Sequence, residues 1–127
     1  MTEQQASTAA VVLVVDDDGG VRKVLRLMLE SGGYRVLEAA DGRDALDKMR
    51  VESVDLVLTD LVMPEQEGLE TIQAIRREQP SLKVIAMSGA FGGELLSVAK
   101  LLGAHSTLQK PLRVEVVLRA VADALAA

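Results

Sequence analysis

The sequence predicts a doubly wound α/β fold in which five parallel strands alternate with five helices. Short apolar runs, most of them built from valine and leucine, recur along the 127-residue chain, and such runs are typical of strands buried on both faces. Segments with apolar residues at helical spacing lie between these runs. Gly, Pro or Asp stands at most of the boundaries. Strict alternation of the two kinds of segment favours a parallel sheet with helices on both faces.

The predicted strands are short and mostly apolar. Val11–Val15 contains only valine and leucine, a composition that suits a buried strand. Residues 56–58, Leu-Val-Leu, show no alternation with polar residues, so we expect this strand to be buried on both faces. The other strands are predicted over residues 34–38, 83–87 and Ser106–Gln109.

Residues with special backbone preferences mark the ends of the predicted helices. The first helix follows Asp18, a residue type that commonly caps helices, and stops at Gly32-Gly33. We interpret Asp41-Gly42 as a turn before the second helix and Gly68 as a break in the loop before the third. Gly103 closes the fourth helix.

Each predicted helix has an apolar stripe that we expect to face the core. The stripes comprise Val21, Val24, Leu25, Met28 and Leu29 in the first helix; Ala45, Leu46 and Met49 in the second; Leu69, Ile72 and Ile75 in the third; Leu95, Val98, Ala99 and Leu102 in the fourth; and Val114, Val117, Leu118, Val121 and Leu125 in the fifth.

Right-handed crossovers leave few topologies for such a chain. The flavodoxin-like strand order 2-1-3-4-5 fits five βα units and places strands one and three side by side, where the order reverses. We expect residues 1–10 to form a disordered tail and residues 11–127 to form one folded domain. No apolar run approaches the about 20 residues of a membrane span, and the first residues lack a signal-peptide layout. These features predict a cytoplasmic domain.

Composition excludes several kinds of site. The chain has no cysteine and a single histidine, His105, which excludes disulfides, thiolate metal sites, cysteine nucleophiles and multi-histidine sites. The net charge of −5 argues against a nucleic-acid partner, because such a partner requires a basic surface.

Polar residues end four of the five predicted strands. Asp16 and Asp17 follow the first strand, Asp60 the third, Ser88 the fourth and Lys110 the fifth. Each alone is ordinarily a turn, cap or surface residue. The carboxyl ends of parallel strands meet at one edge of the sheet, where ligands bind in such folds. We therefore interpret the five residues as one site.

The chemistry of this set points to phosphoryl transfer. Neighbouring carboxylates repel one another and stay ionised together only beside a cation. An all-oxygen ligand set selects a hard metal such as Mg²⁺. Asp60 can act as a carboxylate nucleophile, while Lys110 neutralises phosphoryl charge and Ser88 donates a hydrogen bond. The residues predict Mg²⁺-assisted phosphorylation of Asp60 to an acyl phosphate.

One motif runs through the chain. It comprises Asp16-Asp17, Asp60 within Asp-Leu-Val-Met-Pro, Gly68 eight residues later, Ser88 and Lys110-Pro111. With this motif, the chain from residue 11 to residue 126 resembles the receiver domain of two-component response regulators, of the chemotaxis-regulator type. The resemblance implies that Asp60 accepts a phosphoryl group from a histidine kinase or a histidine phosphotransfer protein. It implies no enzymatic activity beyond self-phosphorylation and self-dephosphorylation.

The same resemblance implies a ligand set for Mg²⁺. Asp17, Asp60 and the backbone carbonyl of Val62 would bind the metal directly, and Asp16 would assist through water. Ser88 would be the switch hydroxyl.

The resemblance also implies a cis peptide bond between Lys110 and Pro111. The chain departs from the family pattern at Thr107, where an aromatic residue is usual, and at Leu112, which follows the Lys-Pro pair. We therefore expect phosphorylation to reorder the loop after Ser88 without a ring at position 107.

The last two helices are the expected output surface, because loop movements at Ser88 and Lys110 would reach them. Leu96, Leu101 and Val116 are predicted to lie off the buried stripes, where an output partner or a second copy of the chain could bind. Three charged residues lie nearby in the sequence. They could form ion pairs between two copies of the chain, but a solvent-exposed helix face is the simpler interpretation. These charged residues are Arg113, Glu115 and Arg119.

Alternative functions fit the sequence less well. A phosphatase of the haloacid-dehalogenase type requires a second carboxylate two residues after the nucleophile, where this chain has Val62. A flavin-binding module requires a phosphate loop that Asp16-Asp17-Asp18 would repel. A degenerate receiver used as a docking module and a receiver fragment of a hybrid histidine kinase remain open alternatives.

Overall fold

The computed structural model describes residues 9–61, 67–89 and 92–127, and only the backbone of residues 67 and 92–96. Strands and helices alternate throughout these segments, as predicted. In chain order they are β1 (Val11–Val15), α1 (Gly19–Ser31), β2 (Arg35–Ala39), α2 (Gly42–Val51), β3 (Leu56–Asp60), α3 (Glu67–Glu78), β4 (Lys83–Ser88), α4 (Gly92–Leu101), β5 (Ser106–Gln109) and α5 (Val114–Ala126).

All strand pairs are parallel, and the order β2-β1-β3-β4-β5 confirms the predicted flavodoxin-like topology. β3 lies at the centre, and every residue from Leu56 to Asp60 is buried, as its apolar run predicts. Asp60 is paired in register with Met87 of β4. None of the helices in the described segments is long and apolar enough to span a membrane.

The two faces of the sheet form separate apolar clusters because side chains alternate along each strand. Leu13 and Val57 pack on one face with residues of α2, α3 and α4. Val14 and Leu58 pack on the other with residues of α1 and α5. The central strands are thus covered from both sides, and their carboxyl ends lie together at one edge of the sheet.

Four predicted strand boundaries are off by one or two residues: both ends of β2 and the carboxyl ends of β3 and β4. β2 begins at Arg35, because the Tyr34 N–H donates to the Leu29 carbonyl (3.2 Å) and helps to close α1. β3 continues to Asp60 and β4 to Ser88, so both polar residues belong to the ladder. At the other end of the sheet, the Arg35 N–H donates to the Ala10 carbonyl (2.9 Å). Residues 1–8 of the predicted tail lie outside the described residues.

Most of the predicted helix ends are observed. Asp18 caps α1 by accepting from the Gly20 and Val21 N–H groups, and Asp41 caps α2, so that Gly42 opens this helix instead of ending a turn. Gly103 has a φ of 115° after α4, a conformation that glycine adopts at little cost. Gly68 is an exception: it lies in the first turn of α3 and does not break the loop.

Two stripe predictions are wrong. Val24 is 51% exposed because the buried face of α1 is centred on Leu25 and Leu29, and Val24 lies about 100° around the helix from Leu25. Val98 of α4 is 39% exposed, whereas its neighbour Ala99 is fully buried. The predicted exposure of Leu101 and Val116 is observed, and the side chains of Leu95 and Leu96 lie outside the described residues.

Candidate functional site

Three carboxylates converge at the carboxyl ends of β1 and β3. Oxygen atoms from Asp16, Asp17 and Asp60 all lie within 4.8 Å of one another. Asp16 and Asp60 are only 1% and 3% exposed, whereas Asp17 is exposed. The cluster is thus buried on the sheet side and open on the side of Asp17.

Lys110, at the end of β5, reaches across to the buried acids. Its Nζ lies 3.1 Å from Asp16 Oδ2 and 3.4 Å from Asp60 Oδ1. Burial lowers the pKa of Lys110, but the charge of Asp60 and the hydrogen bond to Asp16 outweigh it, so the pKa lies above its ordinary value. The ammonium therefore stays charged and pairs with the acids.

The charge of the cluster suits a divalent cation. Three carboxylates and one ammonium leave a formal charge of −2. Closely spaced carboxylate oxygens are the ligands that Mg²⁺ prefers, and a partly open site leaves room for its water ligands. Asp16, Asp17 and Asp60 therefore fit the predicted metal. Val62, whose carbonyl is the fourth predicted ligand, lies outside the described residues.

The loop after β1 is held by several hydrogen bonds to Asp16. Its Oδ1 accepts from the Asp18 N–H (2.9 Å), and its own N–H donates to the Ala39 carbonyl (3.1 Å). Arg22 Nη1 donates to the Asp16 carbonyl (2.6 Å). The orientation of Asp16 is thus fixed from three directions.

Ser88 ends β4 on the same edge of the sheet. Its Oγ is buried and has no hydrogen-bond partner among the described residues. Such an unsatisfied hydroxyl is uncommon and calls for an explanation, such as an absent ligand oxygen. The Ser88 carbonyl accepts from the Lys110 N–H (2.7 Å), which ties the ends of β4 and β5 together. The bond between Lys110 and Pro111 is cis, as expected.

An ion-pair network beside the site was not anticipated from the sequence. Glu38 of β2 accepts hydrogen bonds from Arg22 Nε (3.0 Å) and Arg26 Nε (2.7 Å). The hydrogen bond from Arg26, aided by Arg22, lowers the pKa of Glu38 although burial opposes it. The only sequence signal is the spacing of the two arginines, which are four residues apart on one helix face. Nothing in the sequence pairs them with Glu38.

The model of the family described as the response regulator receiver domain matches residues 12–122. The chain belongs to this family. Receiver domains are phosphoacceptor switches and not classical enzymes, and they interact with histidine kinases and output domains.

Two relatives are similar to this chain over most of their own length. The chemotaxis protein CheY of Treponema pallidum is 38% identical over 108 residues, which cover 83% of this chain and 75% of the relative. Sporulation initiation phosphotransferase F of Bacillus subtilis is 32% identical over 102 residues, with 80% and 82% covered.

Other relatives are much longer than this receiver domain. Transcriptional regulatory proteins ZraR of Klebsiella oxytoca and GlrR of Escherichia coli are each 37% identical, and the chain spans about a quarter of their length (23% and 24%). Among solved structures, a CheY-like receiver domain from Methanospirillum hungatei superposes with a TM-score of 0.86 at 30% identity, covering 94% of this chain and 95% of that one. These likenesses agree with the strand order and the layering.

Proposed function

We propose that Asp60 accepts a phosphoryl group from a phosphorylated histidine of a histidine kinase or a histidine phosphotransfer protein. The observation that carries this proposal is a buried Asp60 carboxylate beside Asp16 and Asp17, with Lys110 Nζ 3.4 Å from its Oδ1. The ammonium favours the ionised carboxylate, and this is the nucleophilic form.

The bonds change as follows. An oxygen of Asp60 attacks the phosphorus of phosphohistidine, and a P–O bond forms while the P–N bond breaks. The electron pair of the P–N bond returns to the imidazole, which leaves neutral when its other nitrogen carries a proton. The products are an acyl phosphate on Asp60 and an unmodified histidine. Asp60 thus needs no general base, because a carboxylate carries no proton.

Asp16, Asp17 and Asp60 would hold Mg²⁺, together with the carbonyl of Val62 if the ligand set implied by the resemblance applies. When bound, the cation neutralises the charge of the phosphoryl oxygens. Without it, the carboxylates would repel an incoming phosphate.

The remaining polar groups suit the product. The buried Ser88 hydroxyl lacks a partner among the described residues and would donate to a phosphoryl oxygen. Lys110 would move part of its pairing from Asp60 to the new phosphate, whose charge is about −1.5 to −2. Both changes pull on the loops after β4 and β5, which lead into α4 and α5.

Beryllofluoride, a mimic of the acyl phosphate, tests the proposal. We expect the wild-type chain to bind it in the presence of Mg²⁺ and to show bound signals in fluorine NMR. Asp17→Asn should lose these signals, because it removes one of the three clustered carboxylates. Asp47→Asn on α2 should retain them, since Asp47 is exposed and pairs with Arg50. Absence of binding by the wild type, or full binding by Asp17→Asn, would overturn the proposal.

The phosphodonor needs a surface beside Asp60, and we propose the apolar groove between α1 and the residues after β5. Val24, Met28 and Leu112 line this groove, and Lys110 forms part of its wall. Val24 is 51% exposed. A helix of the phosphodonor bound in this groove would lie next to the acid cluster, because Lys110 lines the groove and also pairs with Asp16 and Asp60.

Val24→Asp is therefore expected to slow phosphorylation by a phosphorylated histidine phosphotransfer protein by about 10-fold, since a charge would be buried at the contact. Phosphorylation by acetyl phosphate should stay unchanged, because a small donor needs no such surface. Val51→Asp is the matched control, since Val51 is 84% exposed on α2. The rate of labelled-phosphate transfer is measured for the wild type, Val24→Asp and Val51→Asp. Equal slowing with both donors would contradict the groove as a docking surface.

The proposed output surface is formed by α4 and α5, where Val98, Leu101 and Val116 are 39%, 86% and 48% exposed. An output partner or a second copy of the chain would bind there, with Arg113, Glu115 and Arg119 at its border. Because histidine kinases phosphorylate their receivers inside the cell, we also propose a cytoplasmic location.

A further inference from the structure

The inference concerns Arg22, which lies in the first turn of α1 and reaches back over the loop that carries the acids. Its guanidinium bridges the Asp16 carbonyl (Nη1, 2.6 Å) and Glu38 Oε1 (Nε, 3.0 Å). Helix stability does not explain this placement, because a cation near a helix N-terminus opposes the helix dipole. The contacts of Arg22 with the loop after β1 and with β2 are therefore its favourable interactions.

The Asp16 carbonyl belongs to the peptide group that joins the two acids. Asp16 has its own anchors, since its carboxylate pairs with the Asp18 N–H and with Lys110. The Asp17 carboxylate is exposed and makes no hydrogen bond or ion pair with the described residues. Its position in the cluster thus depends on the backbone, and Arg22 holds the peptide group that precedes it.

Glu38 in turn controls where Arg22 points. Its two carboxylate oxygens accept from Arg22 and Arg26, and Arg26 also pairs with Glu30 (3.3 Å). With Glu38 neutral, Arg22 would lose its anchor and could swing toward the exposed Asp17. A guanidinium there would compete with a cation for the same carboxylate.

We propose that Arg22, anchored by Glu38, is a positioning residue that sets the affinity of the acid cluster for Mg²⁺. The inference rests on the proposed function, since it assumes that Asp16, Asp17 and Asp60 bind this ion. Groups that orient metal ligands typically change metal affinity by about 10-fold to 100-fold when they are removed. Arg22 acts through the backbone of a ligand loop, so the lower end of this range applies.

Isothermal titration calorimetry of the unphosphorylated chain with Mg²⁺ alone tests the inference. We expect Arg22→Gln and Glu38→Gln to bind Mg²⁺ about 10-fold more weakly than the wild type. Arg22→Lys should fall in between, because one ammonium cannot reproduce the planar fork that bridges two acceptors. The double variant should bind no more weakly than the weaker single one, because Glu38 acts through Arg22.

A matched ion pair elsewhere gives the control. Arg50 and Glu78 form two hydrogen bonds (2.9 and 2.7 Å) between α2 and α3. Arg50→Gln should leave Mg²⁺ affinity unchanged. With acetyl phosphate as donor, the rate of Arg22→Gln should approach that of the wild type as Mg²⁺ is raised to saturation. A structural role alone would lower the rate at every Mg²⁺ concentration.

The outcomes separate the two proposals. Wild-type affinity in folded Arg22→Gln and Glu38→Gln chains overturns the positioning role and leaves the proposed function standing. A wild-type chain that binds no Mg²⁺ overturns both. If Arg22→Gln does not fold, Arg22→Lys and Glu38→Gln decide, and unchanged affinity in these two overturns the inference.

Discussion

Asp60→Asn is expected to abolish phosphorylation of the chain. An amide oxygen is neutral and far less nucleophilic than a carboxylate, so no acyl phosphate forms at this position. The variant should fold, since it removes one of three mutually close negative charges and so relieves their repulsion. Incorporation of labelled phosphate from acetyl phosphate, measured with Mg²⁺ present, provides the readout.

Asp55→Asn is the matched control for this experiment. Asp55 precedes the same strand, and its Oδ2 accepts from the Val11 N–H (2.7 Å) at the opposite end of the sheet. An asparagine can still accept this hydrogen bond, so labelling should persist. Normal labelling of Asp60→Asn would show that another residue takes the phosphate and would end the case for Asp60.

Gly68→Ala is expected to destabilise the chain and to impair phosphorylation. A Cβ at position 68 would lie 2.5 Å from Leu61 Cα and 2.7 Å from the Asp60 carbonyl oxygen. These are backbone atoms of Asp60, the proposed phosphoacceptor, and of the residue after it, and they cannot rotate away, so α3 or the end of β3 must shift. We expect the free energy of unfolding to fall by about 1–3 kcal/mol. A shift of this kind at Asp60 should slow phosphorylation by up to about 100-fold.

Chemical denaturation measures the first effect, and transfer from acetyl phosphate the second. Gly89→Ala is the steric control for denaturation, because no atom of the described residues lies within 4 Å of the Cβ position of Gly89. Its free energy of unfolding should match that of the wild type. A Gly68→Ala chain as stable as the wild type would show that α3 can be displaced without cost.

The parts of the fold that follow from local pattern were predictable. The valine and leucine runs of β1 and β3 mark buried strands whatever their neighbours are, and right-handed crossovers then leave few orders. The convergence of Asp16, Asp17 and Asp60 follows from the same reasoning, since carboxyl ends of parallel strands share an edge. The distances from Lys110 to the acids do not follow from it.

Features that depend on how the helices and strands pack together could not be predicted from the sequence. Val24 is exposed because α1 meets the sheet through the side that carries Leu25 and Leu29. The apolar stripe of α1 is wider than its area of contact with the sheet, so the spacing of apolar residues does not show which of them are buried. The sequence predicts a break in the loop at Gly68, whereas this residue lies in the first turn of α3. A glycine is required there because α3 approaches the backbone of Leu61 closely. The pairing of Glu38 with Arg22 joins residues 16 positions apart on different elements, and no periodicity signals it.

The hydrogen bond from the Lys110 N–H to the Ser88 carbonyl restricts how the domain can respond. Because this bond joins the backbones at the ends of β4 and β5, a backbone movement of Ser88 toward a phosphoryl group on Asp60 would also move the backbone of Lys110. Under the proposed function, the two strand ends would therefore shift together. Such coupling would disfavour intermediates in which only one of them has moved and would make the transition more cooperative.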